Sequence, residues 1–118
     1  MTPSRWFPPI VWAAVVLTAT SIPNLPMPGP AGTDKVGHFF MYCMLGFLIQ
    51  RAAAPVRSMR TLLVVIGAVA GFAALDEWHQ AFIPGRAADA TDFVADVAGA
   101  ATGALLAFWT ARRFAEPA

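Results

Sequence analysis

The sequence predicts an all-α membrane protein in which four transmembrane helices form a small bundle. Hydrophobic residues make up 58% of its 118 residues, only 13% are charged, and the mean hydropathy is +0.59. Four apolar runs are each close to the length that crosses about 30 Å of hydrocarbon. A backbone in lipid must satisfy its own hydrogen bonds, which favours helices over isolated strands. No linker is long enough to divide the chain, so residues 1–118 are expected to form one domain.

The predicted spans cover approximately residues 7–22, 36–54, 61–83 and 89–111. They end at PNLPMPGPAG, APVRSMR and IPGRAADAT, where proline, glycine and polar residues interrupt the apolar runs. The first run also permits a second interpretation as a cleavable signal peptide, because Arg5, a short apolar stretch and the small residues Ala19 and Ser21 occur together.

Charged residues sort to opposite ends of these spans. Basic residues at one end are Arg5, Arg51, Arg57, Arg60, Arg112 and Arg113, whereas only Lys35 and Arg86 lie at the other. Basic loops are retained in the cytoplasm, so both termini are predicted to be cytoplasmic. Six of the seven acids lie at the outward end, and Glu116 is the exception. A net charge of +1 without a basic patch predicts no nucleic-acid partner.

Helical spacing places polar residues of the second and third spans on shared faces. Asp34, His38 and Tyr42 follow one another at intervals of four, and Asp76 and Gln80 are four apart. A charge at the depth of Asp76 costs several kcal/mol unless it is paired, hydrated or protonated. These faces are therefore expected to meet inside the bundle.

The fourth span carries its own polar arc. Asp92, Asp96, Gly99 and Gly103 lie on one side of the helix, and the two glycines match the small-xxx-small pattern that lets membrane helices approach closely. We therefore expect polar faces of three helices to converge at the outward end. A second G-x-x-x-G at residues 67–71 is weaker support for any particular contact.

Two segments, DKVGHFFMYCMLG and DEWHQAFIPGRAADATDFVADVAGAATG, resemble the signature regions of the VanZ-like family of small bacterial membrane proteins. The patterns D-K-x-x-H-x-x-x-Y and D-E-x-x-Q-x-x-x-x-x-R-x-x-x-x-x-D occur in the family's order. The family commonly has asparagine where Asp96 stands. The resemblance implies a multi-pass protein of the bacterial cytoplasmic membrane, from a family whose founding member is linked to low-level teicoplanin resistance. It implies no settled reaction.

The polar residues predict an outward pocket that binds or processes a lipid or cell-wall-related head group, and whether a reaction is catalysed is left open. His38, Asp76 and Glu77 are candidates for acid and base chemistry. The candidates for binding are Asp34, Lys35, Tyr42, Gln80, Arg86, Asp92 and Asp96, and His79 lies close to them in sequence. A divalent cation is a further candidate, although no tight metal motif assigns its ligands.

Two alternatives stay open beside that pocket. The polar residues can act structurally, with His38 and Tyr42 in hydrogen bonds between helices and Arg86 as counter-ion to an acid. In that case the chain would be a non-catalytic accessory subunit or assembly factor that docks a larger membrane complex. In either case we expect the forked guanidinium of Arg86 to reach Asp92, and His38 and Asp76 to face one cavity.

Overall fold

A computed structural model of the protein describes residues 3–22, 33–85 and 89–113, which form four α-helices. Helix α1 spans Pro3–Thr20, α2 spans Thr33–Ala53, α3 spans Met59–Gln80 and α4 spans Ala90–Thr110. The all-helical prediction is confirmed, with boundaries that differ by one to four residues. The largest difference is the start of α1, which continues through Pro8 and Pro9 back to Pro3. Pro3 costs no helical hydrogen bond, because the first N–H groups of a helix have no helical partner, whereas Pro8 and Pro9 lie inside the helix, where each removes one backbone donor.

Successive helices run in opposite directions. Near one end of the bundle, the Arg5 guanidinium of α1 donates to the carbonyl of Ala52 in α2. Close by, Val56 forms an isolated backbone bridge with Arg112, which brings the α2–α3 connection beside the end of α4. The starts of α1 and α3 and the ends of α2 and α4 therefore lie at this end, where the six arginines of one predicted side gather. Their predicted separation from the acids at the opposite ends of the helices is confirmed.

Side-chain caps fix where the two later helices begin. Ser58 precedes α3 and accepts a hydrogen bond from the Thr61 N–H at 3.2 Å. Asp89 precedes α4 and accepts from the Thr91 N–H at 2.9 Å. Each cap satisfies a backbone donor that the first helical turn leaves without a partner. Gly85, in the turn after α3, has a φ of 78°, a conformation that glycine adopts without the strain of a side chain.

Helices α2 and α4 form the closest helix pair. A Cβ atom at Gly99 would overlap the Phe39 carbonyl, and one at Gly103 would overlap the Cys43 carbonyl. The predicted glycine groove on α4 is therefore confirmed, because only glycine permits this backbone approach. By contrast, a Cβ at Gly67 would meet nothing within 4 Å, so Gly67 faces open space and takes part in no close helix contact here.

Two of the helices, α3 and α4, are long and apolar enough to cross a membrane. Large apolar side chains cover much of the outer surface, including Leu63, Trp78 and Trp109, each more than 60% exposed. Such an apolar exterior suits contact with lipid more than contact with water. Helices α3 and α4 are thus candidate membrane spans, whereas four spans, a cytoplasmic position for both termini and a single domain stay predictions.

Candidate functional site

Polar side chains from all four helices meet at the end of the bundle opposite the six arginines. The set, called the acidic cluster below, comprises Thr20, Asp34, Lys35, His38, Tyr42, Asp76, Glu77, Gln80, Asp89, Asp92 and Asp96. It is formed by the end of α1, the start of α2, the end of α3 and the start of α4. Antiparallel packing brings these segments together although they are far apart in sequence.

Lys35 connects three carboxylates of the cluster. Its Nζ lies 3.1 Å from Asp34 Oδ2, 3.0 Å from Asp89 Oδ2 and 2.7 Å from Asp92 Oδ1. Hydrogen bonds to Asp92 and Asp89 hold the pKa of the Lys35 ammonium above its usual range. Hydrogen bonds from the Thr91 hydroxyl and from Lys35 lower the pKa of Asp89. The lysine is therefore a fixed positive charge that links the starts of α2 and α4.

His38 lies one helical turn deeper and contacts two acids of α4. Its Nδ1 is 2.7 Å from Asp96 Oδ1, and its Nε2 is 3.8 Å from Asp92 Oδ2. Asp96 is completely buried, and its Oδ2 has no hydrogen-bond partner among the described residues. A carboxylate on Nδ1 fixes the imidazole ring and leaves Nε2 directed toward Asp92, which is a common arrangement for a histidine that moves a proton or binds a metal.

The Asp76 carboxylate accepts hydrogen bonds from hydroxyl groups on two other helices. Tyr42 donates to Oδ2 at 3.0 Å, and Thr20 Oγ1 lies 2.8 Å from Oδ1. Thr20 also lies 3.0 Å from the Val16 carbonyl, but its single proton is best used toward the closer carboxylate. Asp76 is only 2% exposed, so these two donors replace the water that the carboxylate lost on burial.

Glu77 joins the end of α3 to the start of α4. Its Oε2 accepts from the Asp89 backbone N–H at 2.9 Å, and its Oε1 lies 3.4 Å from Gln80 Nε2. Glu77 is 7% exposed and Gln80 is 1% exposed. Since Oε1 has only this long contact from Gln80 among the described residues, the glutamate retains capacity to accept from a further group.

The cluster contains a potential metal-binding set. One ligand atom each from His38, Glu77 and Asp96 lie within 4.8 Å of one another, and all three residues are buried. Imidazole with carboxylates suits Zn²⁺, Mn²⁺ or Fe²⁺, and three protein ligands leave a coordination position open for a bound molecule. The contacts in this structure also satisfy part of the set without an ion, because His38 and Asp96 bind each other.

Most candidate residues from the sequence come together here. Arg86 lies outside the described residues, and so does its predicted contact with Asp92. His38 and Asp76 lie on different helices of the same cluster and are connected through α2, where Tyr42 follows His38 by one turn and binds Asp76. His79 is exposed and lies outside the cluster, because it turns away from the helix face that carries Glu77 and Gln80.

Thr20 is a cluster residue that the sequence reasoning missed. It ends an apolar helix, and hydroxyls at such positions commonly bond to their own helix, so nothing in its local sequence predicts an acid partner. The hydrophobic residues around Thr20 in the sequence predict contact with lipid and not with an acid. The available signal was its position, since Thr20 and Asp76 both lie near the ends of their helices, and α1 and α3 end on the same side of the bundle.

Negative charge exceeds positive charge among the described members of the cluster. Six carboxylates, from Asp34, Asp76, Glu77, Asp89, Asp92 and Asp96, meet one lysine and one histidine. Four of those six acids are buried. Burying several like charges in a small volume is costly unless protons or a cation compensate them. The arrangement therefore favours a positively charged ligand, a metal ion or shared protons.

Comparison with curated proteins gave no match, and comparison with solved structures gave none either. The family model described as VanZ/LLP1 matches residues 3–111. The matched range includes all four helices and every residue of the acidic cluster. The resemblance seen in two short sequence segments thus extends over nearly the whole chain, which belongs to the VanZ/LLP1 family.

Proposed function

We propose that this VanZ-like envelope protein of the bacterial cytoplasmic membrane uses the acidic cluster to bind or process the polar head group of a lipid or cell-wall intermediate. The observation that supports the proposal is the excess of carboxylates over cations among the described residues of the cluster, where four of six acids are buried. A purely structural cluster would be less costly with neutral partners or with one base for each acid. The outward side of the membrane, where such intermediates are used, follows from the predicted orientation.

The ligand should carry or recruit positive charge. An amine could donate short charge-assisted hydrogen bonds to Asp96 Oδ2, which has no partner among the described residues, and to Glu77. A divalent cation held by His38, Glu77 and Asp96 would serve the same purpose and would bind a head-group phosphate at its open position. The amine and the metal ion would be held by the same buried negative charge, and a metal titration distinguishes between the two.

Acid and base chemistry is available at the same place. Asp96 holds one ring nitrogen of His38, so the other nitrogen can accept or return a proton. Glu77 is a second buried group that can exchange a proton, whereas Asp76 is held by two hydroxyls and is better suited to positioning. Hydrolysis or group transfer on a bound head group is therefore the reaction class we assign, if the protein catalyses one.

A link to teicoplanin resistance belongs to the same proposal. Glycopeptides act outside the cytoplasmic membrane, so an outward site that alters an envelope intermediate would change how much target they meet. Expression of wild-type protein in a sensitive host is expected to raise the teicoplanin concentration needed to stop growth. A Glu77→Gln variant present at equal abundance should lose that effect.

The accessory-subunit alternative has an observation in its favour. Lys35 already binds three acids, and Asp76 already has two donors, so much of the cluster is satisfied internally. A network of this kind can simply lock four helices together. An accessory role predicts that neutralising a cluster acid lowers assembly with a partner protein and leaves lipid binding unchanged.

Native mass spectrometry of the gently purified protein tests the main proposal. Wild-type protein should retain a defined head-group lipid, and Glu77→Gln should lose it while keeping its helical circular dichroism and its melting temperature within a few degrees. Arg60→Gln, at the opposite end, is the matched control and should retain the lipid. Equal lipid retention by all three proteins would exclude the cluster as the binding site.

A further inference from the structure

A second site lies at the opposite end of the bundle, far from the acidic cluster. A cavity of about 740 Å³ opens between the start of α1, the end of α2 and the end of α4. The residues that line it include Arg5, Arg51 and Arg112 together with Leu48, Ala107 and Thr110. The volume falls in the range of small-molecule sites, about 300 to 1,000 Å³.

The charge of this cavity has one sign. Three arginines contribute to its wall, and none of the described residues that line it is acidic. Arg5 directs Nε at the Ala52 carbonyl, 3.2 Å away, and Nη2 at the same oxygen. A guanidinium has five N–H donors, so Arg5 keeps further donors for another acceptor. A planar guanidinium binds phosphate or carboxylate oxygens in pairs, which makes an anion the complementary ligand.

Arg57 shows what a purely structural arginine does at this end. Its Nε donates to the Phe108 carbonyl at 3.2 Å and its Nη2 to the Trp109 carbonyl at 2.9 Å, while its guanidinium lies 4.9 Å from the Trp109 ring centroid. These contacts neutralise the partial negative charge at the end of α4. Arg57 does not line the cavity, so capping of α4 does not require the arginines that do.

The apolar part of the wall identifies the class of ligand. Leu48 and Ala107 line the cavity beside the arginines, and α4 ends at Thr110 in the same wall. Because α4 is apolar enough to cross a membrane, its end marks the level at which hydrocarbon gives way to head groups. We propose that this cavity binds the phosphate of an anionic phospholipid, with Arg5, Arg51 and Arg112 around the phosphate and the glycerol and upper acyl chain against Leu48 and Ala107.

The site is independent of the proposed head-group function, since it lies at the other end of the bundle and uses no residue of the acidic cluster. It assigns the basic end a specific lipid contact in addition to general attraction to a negative membrane surface. General attraction to the membrane surface depends on the number of positive charges, whereas lipid binding in the cavity depends on which arginines carry them. That difference supplies the test.

The test measures binding of a fluorescent phosphatidylglycerol to the full-length protein in mild neutral detergent. The double variant Arg51→Gln/Arg112→Gln should bind it at least tenfold more weakly than wild type. The matched control, Arg60→Gln/Arg113→Gln, removes the same charge from exposed arginines that do not line the cavity and should stay within twofold. Equal weakening by both double variants would overturn the site, as would equal wild-type affinity for phosphatidylcholine.

Two further arms separate the sources of phosphate and guard against a misfolded variant. Glycerol phosphate should fail to displace the lipid at millimolar concentration, and effective displacement would replace the phospholipid assignment with a free phosphate ester. A photoreactive phosphatidylglycerol should crosslink wild-type protein mainly on the segments that contain Leu48 and Thr110. Crosslinks spread evenly over the outer helix surface would overturn the proposal whatever the variants do.

Discussion

The two ends of the bundle handle charge in opposite ways. At the basic end, Arg51, Arg60 and Arg112 are exposed, and their long side chains carry the charge away from the backbone toward water. At the acidic end, Asp76 and Asp96 are buried, because a short side chain keeps its carboxylate at the depth that the helix imposes. An excess of like charge is therefore easily solvated at the basic end, whereas at the acidic end it must be compensated by contacts.

Chemistry is therefore expected at the acidic end, and attachment to an anion is expected at the basic end. Within the described part of the chain, buried carboxylates outnumber cations at the acidic end, so a positively charged ligand would lower the cost of burying them, which suits recognition or reaction. Arginines around an open cavity suit reversible contact with an anion. Four experiments test the contrast, beginning with the largest effect.

The first experiment asks whether the two ends face different compartments. In a Cys43→Ala background, Met59→Cys marks the basic end and Phe82→Cys marks the acidic end, and both native side chains are exposed. An impermeant thiol reagent should label the Phe82 variant in intact cells and the Met59 variant only after permeabilisation, an all-or-none difference. Labelling of the Met59 variant in intact cells would reverse the orientation.

The second experiment asks whether the acidic end depends on close contact between α2 and α4. Gly99→Ala should lower the free energy of unfolding by up to about 3 kcal/mol, because the new Cβ would overlap the Phe39 carbonyl and backbone cannot easily yield. Gly67→Ala is the matched control, since its Cβ would meet nothing within 4 Å, and it should be neutral or slightly stabilising. Similar melting temperatures in detergent for the two variants would contradict the groove.

The third experiment asks whether a cation compensates the acidic end. If His38, Glu77 and Asp96 bind Mn²⁺ or Zn²⁺, the ion should stabilise wild-type protein by about 2.7 kcal/mol at a hundred times its Kd. Asp96→Asn should lose most of that stabilisation, whereas Asp34→Asn, outside this set of three, should keep it. Thermal melting with and without the ion checks both, and an equal response of the two variants would remove these three residues as ligands.

Without added metal, the same Asp96→Asn variant should be at least as stable as wild type. Asparagine can still pair with His38, and the change removes a buried charge whose Oδ2 has no partner among the described residues. A marked loss of stability would show that the Asp96 charge is already compensated.

The fourth experiment measures a single hydrogen bond at the acidic end. Tyr42→Phe leaves Asp76 Oδ2 without its donor and should reduce stability by about 1 to 2 kcal/mol, since a buried acceptor without a partner is costly. Combining it with Asp76→Asn should give less than the sum of the two single losses. Arg60→Gln at the basic end should stay within about 0.5 kcal/mol. Additive losses would show that the two side chains do not interact.

Local sequence was sufficient for the helices and for their charged ends. The apolar runs, the breakers after Ile22 and Ile83 and the positions of the arginines are properties of short segments, and they predict helices and alternating direction without knowledge of packing. The glycine spacing at Gly99 and Gly103 likewise predicts a helix contact, because small residues at that interval form a groove on any helix. Function was predictable only as a class, because the two signature segments carry a family resemblance without a reaction.

Tertiary structure decided which polar groups bind each other. Sequence placed Lys35 and Asp92 at the same end, but the 2.7 Å contact between them requires the close approach of α2 and α4. The sequence also contains no indication that Thr20 contacts Asp76. The two residues are 56 positions apart and meet only because the ends of α1 and α3 lie side by side. Helical direction can be predicted from local chemistry, whereas partners depend on the distances and rotations between helices, which no single segment determines.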